Sequence, residues 1–466
     1  MVFSGIPFIF FFLTAALILY GLAPTKIKNY VLLAFSLFFY AWGEPKYILL
    51  MIVSTLCSWL CGLLIARFPA RRKLFLILSV VINIGLLGFF KYTVLFVSTA
   101  NSLFSLSLNV PDIVLPIGIS FYTFQTMSYT IDVYRGDTPP QRNFFLLMTY
   151  ISMFPQLIAG PIVRYDTIAE ELRERHVTWD LFCDGTVRFL QGLFKKVLLA
   201  DTFSTLFSEI SAVSPSEHSL TTLWLGILAF YFQIYFDFSG YSDMAIGMGK
   251  MLGFSFLENF NYPMIAQSVS DFWRRWHMSL TTWFRDYVYI PLGGSRCSKA
   301  KCIRNILIVW MLTGFWHGAS WNFLVWGLYF GVILILEKNV WGKALSKAPS
   351  FVRHLYTTVL VTVGWAIFSL EDFSLMADYI GRMFVNPNIV DTEFLYYAVP
   401  YLPLMAIGLL FAVPSYPFFC RQYEKSAKGV KIAVGALGVV AFGAALVLSV
   451  SLLVGNSYSP FLYFRF

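Results

Sequence analysis

Charged side chains are scarce in this chain of 466 residues: Asp, Glu, Lys and Arg make up 13% of it, whereas 58% is hydrophobic. A soluble domain usually carries about 25% charged residues, so a soluble enzyme or binding module of this size is excluded. Apolar runs of about 20 residues, the length that crosses the hydrocarbon core of a bilayer, recur along the whole chain. The sequence therefore predicts an all-α polytopic membrane protein.

Cysteine is also sparse, and the spacing of the six cysteines lacks the patterns of metal and disulfide sites. They contain no C-x-x-C pair, and none stands next to a histidine. We therefore expect neither a metal site nor a disulfide framework. The dinucleotide glycine fingerprint and a phosphate-binding loop after a strand are missing as well, and no permanently bound cofactor is expected.

The excess of basic residues reflects membrane topology. The formal net charge is +9, but Lys and Arg occur in short clusters between apolar runs. The positive-inside rule assigns such clusters to the cytoplasm, and no nucleic-acid partner is predicted. The segments 98–112 and 205–222 lack Lys and Arg, and 371–393 is acidic apart from Arg382. These three loops, and with them both chain ends, are expected outside.

The apolar runs predict about 11 to 12 membrane spans. They cover positions 6–22, 30–42, 47–65, 74–97, 144–163, 186–204, 223–238, 303–317, 321–337, 355–370, 396–415 and 430–454. The charged stretch 164–180 is expected to be a helix on the cytoplasmic surface. Two stretches, 115–131 and 237–304, break the pattern with polar residues, which membrane depth tolerates only inside protein or beside a water-filled cavity. We therefore expect re-entrant or tilted helices, and the functional site, in these two stretches.

Two of the five histidines stand in unusual surroundings. His317 ends an apolar run and His277 lies in a segment dense in Trp and Arg, whereas His176, His218 and His354 are expected to be solvated or interfacial. An ionisable side chain at membrane depth costs about 2.5–3.5 kcal/mol, so such residues indicate function by default. The alternatives are a histidine satisfied by a backbone carbonyl at 317 and an interfacial helix with Trp anchors around 277.

A polar patch follows the apolar run that ends at 238. Its members are Asp237, Ser239, Tyr241 and Asp243. Because an unpaired charge is costly at membrane depth, we expect this patch to satisfy broken-helix backbone and to pair with one or more of Arg274, Arg275 and Arg285.

Four long polar strings carry a family resemblance. They are FDFSGYSDMAIGMGKMLGF at 236–254, ENFNYP at 258–263, SDFWRRWHMSLTTWFRDYVYIPLGG at 270–294 and GFWHGASWNFLVWG at 314–327. In order and spacing they resemble the membrane-bound O-acyltransferase family, most densely between 115 and 337. The resemblance implies one membrane domain over 1–466, with N-terminal spans in 1–114, the family core in 115–337 and C-terminal spans in 338–466. It also implies a central pore where a cytoplasmic acyl thioester meets an acceptor from outside.

The resemblance assigns roles to the two histidines. His317, in the WHG motif, matches the family's catalytic residue, and His277, in the RWH motif, matches its partner in the pore. Imidazole, with an unperturbed pKa near 6.5, suits a base that takes a proton from a hydroxyl around neutral pH. Donors for the resulting oxyanion are expected from Trp316, Trp321, Asn322 or His277 itself. A covalent acyl-histidine is the alternative to a base.

The resemblance further implies O-acetylation of an exported polysaccharide such as alginate, cellulose or another envelope glycan. The donor is expected to be acetyl-CoA or an acyl carrier protein thioester. The expected setting is the bacterial inner or plasma membrane, surrounded by lipid, with an extracytoplasmic SGNH-type acetyltransferase or a polysaccharide export or synthase complex as partner. Alternatives are D-alanyl or other acyl transfer to teichoic acid or peptidoglycan and, from another class, a transporter or channel.

The chain closes on an aromatic tail, FLYFRF. Such a tail is typical of an interfacial aromatic belt. It also resembles the tyrosine-containing tail of the teichoic-acid D-alanylation system, which implies that Tyr463 relays the acyl group across the membrane. Both interpretations stay open at the level of sequence.

The basic cluster around Cys297 and Cys302 makes the predicted orientation testable. In intact cells a membrane-impermeant thiol reagent should label neither cysteine, and in inverted vesicles it should label them, because Arg296, Lys299 and Lys301 hold the loop in the cytoplasm. A cysteine introduced into the acidic loop 371–393 is the matched control and should show the opposite pattern. Labelling of the native pair in intact cells would reverse the predicted topology.

Overall fold

The computed structural model describes residues 1–158, 160–455 and 461–462, with only the backbone of 416 and 417. The described residues form helices joined by loops and contain no β-strand. This confirms the predicted all-α class.

The helices are bounded as follows. The first ten are α1 Thr14–Leu22, α2 Lys28–Gly43, α3 Ile48–Arg67, α4 Arg72–Phe104, α5 Ile119–Arg135, α6 Phe144–Ser152, α7 Phe154–Leu157, α8 Tyr165–Arg173, α9 Trp179–Phe194 and α10 Asp201–Ser211. The others are α11 Leu220–Leu252, α12 Val269–Arg275, α13 Met278–Phe284, α14 Lys299–His317, α15 Trp321–Leu336, α16 Gly342–Lys347, α17 Ser350–Ser369, α18 Phe373–Phe384, α19 Thr392–Ala412, α20 Ser415–Lys425 and α21 Lys428–Gly455. Wider π-helical turns precede α1 and follow α9, α13 and α15.

Seven helical stretches of the described chain are long and apolar enough to cross a membrane. They are Ile48–Arg67, Pro69–Phe104, Leu220–Leu252, Trp321–Lys347, Ser350–Ser369, Thr392–Ala412 and Lys428–Gly455. Some of the other predicted apolar runs are shorter helices or are divided between two helices. The run 144–163 is not one helix, because the chain leaves helical geometry at Met153 and restarts with Pro155 in the first turn of α7.

Helix α11 corrects the boundary predicted at 238. It continues through the polar patch to Leu252, and 78% of its most apolar window is buried inside the protein. Polar side chains therefore lie along a continuous helix that protein surrounds, which is how a membrane protein carries them at low cost. The charged stretch 164–180 contains α8, which buries Tyr165, Ile168 and Leu172 and leaves its charges outward.

The chain divides into two compact units. The first comprises Met1–Phe189 and Tyr241–Glu258, and the second comprises Leu190–Gly240 and Asn259–Leu462. In the first unit, the buried amide of Asn83 on α4 accepts hydrogen bonds from Ser54 of α3 (2.8 Å) and Thr126 of α5 (2.9 Å). One side chain thereby links three helices. The division into domains along the sequence remains a prediction.

The second unit holds α14 against α15 at backbone contact distance. A Cβ atom on Gly314 would lie 2.3 Å from the carbonyl oxygen of Phe323, and one on Gly327 would lie 2.3 Å from that of Trp310. Small residues at such positions let membrane helices approach closely and gain van der Waals contact. The ends of α14 and α15 that carry His317 and Asn322 are fixed by this packing.

The expectation of a solvated or interfacial side chain at His218 is wrong. Its side chain is 1% exposed; Nδ1 lies 2.9 Å from Oε2 of Glu393 and Nε2 lies 2.8 Å from the carbonyl oxygen of Ile210. Nearby, burial opposes ionisation of Asp391, but hydrogen bonds from the Phe394 N–H and from Ser219 lower its pKa. The sequence could not reveal the contact with Glu393, because it joins the loop before α11 to the first turn of α19, 175 positions away. His176 and His354 are exposed as predicted.

The glycine contact between α14 and α15 generates a stability prediction. Gly327→Ala should lower the thermal midpoint of unfolding in detergent, with a cost of about 1–3 kcal/mol, because the added methyl group forces the two backbones apart. Gly443→Ala in α21 is the matched control, since a Cβ there meets nothing within 4 Å. Equal midpoints for the two variants would contradict the proposed role of the contact.

Candidate active site

The segment that carries His277 is fixed at its start by a buried carboxylate. Glu337, which follows α15, accepts hydrogen bonds from the backbone N–H of Val269 (2.7 Å) and Ser270 (2.9 Å) and from the Ser270 hydroxyl (2.6 Å). These N–H groups belong to the first turn of α12, where helix geometry leaves donors unsatisfied and favours a negative charge. Glu337 therefore links the end of α15 to the RWH segment.

The ENFNYP string holds the turn between α12 and α13 from both sides. Asn261 N–H donates to the carbonyl of Arg275, and Met278 N–H donates to the carbonyl of Asn259, both at 2.9 Å. His277 lies between these two bonds with φ of +45°, a left-handed conformation that residues other than glycine rarely adopt. The surrounding backbone bonds sustain this strained geometry, which is typical of functional sites.

The side chain of Asn259 sets the orientation of the His277 imidazole. Oδ1 of Asn259 accepts from the Ser279 N–H (3.2 Å) and hydroxyl (2.9 Å), and Nδ1 of His277 lies 3.1 Å from the same oxygen. A backbone N–H can only donate, so this atom is the amide oxygen and Nδ1 must carry a proton. Burial lowers the pKa of His277, which keeps the ring neutral and leaves the lone pair on Nε2.

His317 is the last residue of α14 and is packed among aromatic rings. Its imidazole contacts Trp316, Trp326 and Phe368 in T-shaped geometry, with centroid separations of 5.0–5.4 Å. Gly318 follows it because a Cβ there would lie 2.2 Å from the Phe323 ring. Steric space, and not an unusual φ, therefore accounts for the glycine of the WHG motif.

The Trp316 indole lies against both predicted catalytic histidines. Its ring centroid is 5.1 Å from that of His317 and 5.8 Å from that of His277. Both imidazoles are buried, at 6% and 2% exposure. Two histidines that are 40 positions apart in sequence thus meet around one tryptophan, although the sequence alone left the environment of His277 open.

The other predicted oxyanion donors differ in their surroundings. Asn322 is fully buried, and its Nδ2 donates to the carbonyls of Ile367 (3.3 Å) and Phe368 (3.1 Å) at the end of α17. Its amide protons are therefore engaged in holding α15 to α17. Trp321 is half-buried at the start of α15. Tyr463 lies outside the described residues.

A large basic cavity is lined in part by Trp310, a member of the aromatic cluster that surrounds His317. Its volume is about 970 Å³, and its charged lining residues are Asp271, Arg274, Arg275, Arg285, Glu337, Lys338 and Arg353. Trp310 lines the cavity and contacts Trp326 (6.0 Å), whose ring contacts His317. Two aromatic contacts therefore connect the cavity wall to the predicted catalytic imidazole.

The expected partners of the polar patch are wrong. Asp237 pairs with Lys196 at 2.7 Å, and Asp243 pairs with Arg188 at 2.7 Å. The arginines expected to meet them bind nearer carboxylates, Arg275 with Asp271 and Arg285 with Asp286. Helix α11 continues past the patch, so its carboxylates face α9 and the turn after it.

Three buried polar residues of the second unit were not predicted to have a role: Lys196 pairs with Asp237, Asn259 orients His277, and Glu337 caps α12. Lys196 had a detectable signal, because it is a charge inside an apolar run. Asn259 stands in the ENFNYP string, but nothing in its spacing shows that it contacts His277.

Among the described residues, no group of three or more His, Cys, Asp and Glu side chains could hold a metal ion.

The chain is similar to known proteins over its whole length. The family model described as "MBOAT, membrane-bound O-acyltransferase family" matches residues 141–370. The chain is 38% identical to the probable alginate O-acetylase AlgI of Pseudomonas putida over 494 aligned positions, which cover 100% of both chains.

Two further relatives differ in the acceptor that their names state. The peptidoglycan O-acetyltransferase of Helicobacter pylori is 33% identical over 80% of this chain and 77% of its own length. The teichoic acid D-alanyltransferase of Bacillus subtilis is 30% identical over 55% of this chain and 69% of its own length. Similarity to the two acetylating relatives therefore extends over more of the chain.

Proposed function

The chain belongs to the membrane-bound O-acyltransferase family and is a multi-pass membrane O-acetyltransferase, and we propose that it acetylates an exported polysaccharide with His317 as general base. The observation that carries the proposal is the meeting of the two motif histidines around Trp316. Membership in an acyltransferase family removes the transporter or channel alternative.

His317 takes the proton of the attacking hydroxyl as that oxygen bonds to the thioester carbon. The C–S bond then breaks, and the proton passes to the departing thiolate. His277 is held as the Nδ1–H tautomer by Asn259, so its Nε2 accepts a hydrogen bond and orients the hydroxyl or a bridging water. This tautomer makes His277 a poor oxyanion donor. We assign that role to Trp316, because the amide protons of Asn322 are engaged elsewhere.

The basic cavity is the proposed donor site. Arg274, Lys338 and Arg353 line it without a carboxylate partner among the described residues, and Nε of Arg353 is buried without a hydrogen-bond partner there. Uncompensated cations in a concave site favour a phosphorylated ligand. Both proposed donors fit: coenzyme A carries phosphates, and an acyl carrier protein presents a phosphopantetheine arm.

The proposed acceptor is an alginate-like or other envelope glycan, reached from outside the bacterial inner membrane. An extracytoplasmic SGNH-type acetyltransferase or a polysaccharide export or synthase complex is the proposed partner. The alternative is acyl transfer to teichoic acid or peptidoglycan; the acetyl branch is favoured because relatives with acetylation in their names align over 80–100% of the chain.

Tyr463 is the proposed acyl relay. The acetyl carbon forms an ester with the phenol oxygen as the thioester C–S bond breaks, and His317 takes the phenol proton. The ester then delivers acetyl to a glycan hydroxyl or to the secreted partner, and the phenol recovers a proton. The interfacial aromatic anchor remains the competing role for this tail.

Substitution of the two histidines tests the proposed roles. His317→Ala should abolish acetyl transfer, and His277→Ala should reduce it by about 10²-fold, the loss that misplacement of a reacting group typically causes. His176→Ala is the matched control and should behave as wild type, because that side chain is 85% exposed. Polysaccharide acetylation is measured in a knockout strain complemented at equal expression. Full acetylation by the His317 variant would refute the base role.

Substitution in the basic cavity tests the donor site. Arg274→Ala and Arg353→Ala should each raise KM for acetyl-CoA about tenfold or more with little change in kcat, because they remove ground-state contacts to phosphate. Arg382→Ala, which breaks an exposed pair with Asp378 on α18, should leave KM unchanged. Both donors are compared in detergent solution. Unchanged KM for acetyl-CoA and for the carrier-protein thioester would place the donor elsewhere.

Removal of one oxygen tests the relay. Tyr463→Phe keeps the aromatic ring and any interfacial anchoring but removes the acceptor atom, so acetylation should vanish with expression unchanged. Mass spectrometry of the wild-type C-terminal peptide should detect acetyl on Tyr463. Normal acetylation by the variant would leave the tail as an anchor only.

A further inference from the structure

The second unit contains a buried charge cluster that the proposed chemistry does not use. Lys196 Nζ lies 2.8 Å from Oδ1 of Asp201 and 2.7 Å from Oδ1 of Asp237, and the lysine and Asp237 side chains are 3% and 4% exposed. One ammonium group therefore meets two carboxylates. Buried ion pairs contribute little net stability, because desolvation offsets the Coulombic attraction. Two carboxylates can accept more hydrogen bonds than one ammonium group donates, and the chain supplies a further donor.

That donor comes from the C-terminal segment. The backbone N–H of Leu462 donates to Oδ2 of Asp237 at 2.8 Å, and the Phe461 ring lies 5.1 Å from the Lys196 ammonium in cation–π geometry. Phe461 is 1% exposed and Leu462 is 8% exposed. Both oxygens of Asp237 are thus engaged, one with the cation and one with the segment. A surface aromatic anchor would not be seated on a buried ion cluster.

The position of Asp237 relates this anchor to the active site. The next residue, Phe238, contacts the His277 ring in T-shaped geometry at 4.6 Å. The His277 ring in turn contacts Trp316, which contacts His317. Asp237, which accepts the hydrogen bond from Leu462, is therefore the neighbour in sequence of a residue that packs against His277.

We propose that Asp237, supported by Lys196 and Asp201, is a positioning site for the protein's own C-terminal segment, and that acetyl transfer requires this segment to be docked. The N–H of Leu462 fixes the register of the segment, and the Phe461 ring over Lys196 fixes its rotation. Tyr463, the proposed relay, is the next residue in sequence. The inference rests on the proposed function for its catalytic consequence, but docking itself can be measured separately.

Asp237→Ala removes the acceptor for Leu462 and one of the two carboxylates that pair with Lys196, and it leaves Lys196 paired with Asp201. Asp243→Ala is its matched control, since it removes another buried carboxylate of α11 and leaves Arg188 paired with Glu258. Leu462→Pro is the complementary variant, because proline lacks the N–H while every side chain of the cluster is kept.

Docking is measured by the rate at which maleimide labels a thiol at position 461, introduced as Phe461→Cys in a chain without native cysteines. Maleimide labelling of the introduced thiol in detergent should be slow, should accelerate at least about tenfold on adding Asp237→Ala or Leu462→Pro, and should not change with Asp243→Ala. With Phe461 retained, acetyl transfer should fall at least about tenfold in Asp237→Ala and Leu462→Pro relative to Asp243→Ala.

Continued protection of the introduced thiol in both docking variants would overturn the proposed site. Rapid labelling with unimpaired acetyl transfer would overturn the requirement for docking. If Asp237→Ala does not fold, as judged by its thermal midpoint, Leu462→Pro decides both points. Absence of acetyl transfer from the parent chain would count against the proposed function and leave the labelling test of docking intact.

Discussion

Hydrocarbon cannot hydrogen-bond, and this constraint governs the polar groups that lie at membrane depth. A backbone or side-chain group placed at membrane depth must find its partner within the chain. The long helices satisfy their own backbones, which is why they cross the membrane without further help. Where α12 begins, a buried side chain supplies the missing acceptor, because Glu337 accepts from the N–H groups of its first turn.

The same constraint explains how a reactive imidazole is held inside an apolar protein. His277 lies at a break between two short helices, in a left-handed backbone conformation that is flanked by two hydrogen bonds to the ENFNYP segment. Asn259 then fixes its tautomer, so the direction of its lone pair is decided by an amide that takes no part in the chemistry. His317 reaches the same place by ending a helix, with Gly318 leaving room for the Phe323 ring.

Charged side chains of the second unit form two groups, one lining the large cavity and one under the C-terminal segment. Arginine and lysine side chains line the large cavity, where a phosphorylated donor would find them. A lysine and two aspartates form the buried cluster under the C-terminal segment. The proposed reaction needs both: a donor brought to one side of the imidazoles and an acceptor group presented in fixed register.

Composition and apolar runs alone determined the class of protein, because lipid imposes one requirement on every spanning segment. The RWH and WHG strings identified the candidate histidines through their resemblance to the family, and the cost of an ionisable group in lipid supports that choice. Tertiary structure decided the rest. The pairing of Asp237 with Lys196, the burial of His218 against Glu393 and the contact of Asn259 with His277 all join distant positions. Helical periodicity describes one helix at a time, whereas the choice of partner for a buried charge depends on which helices pack side by side.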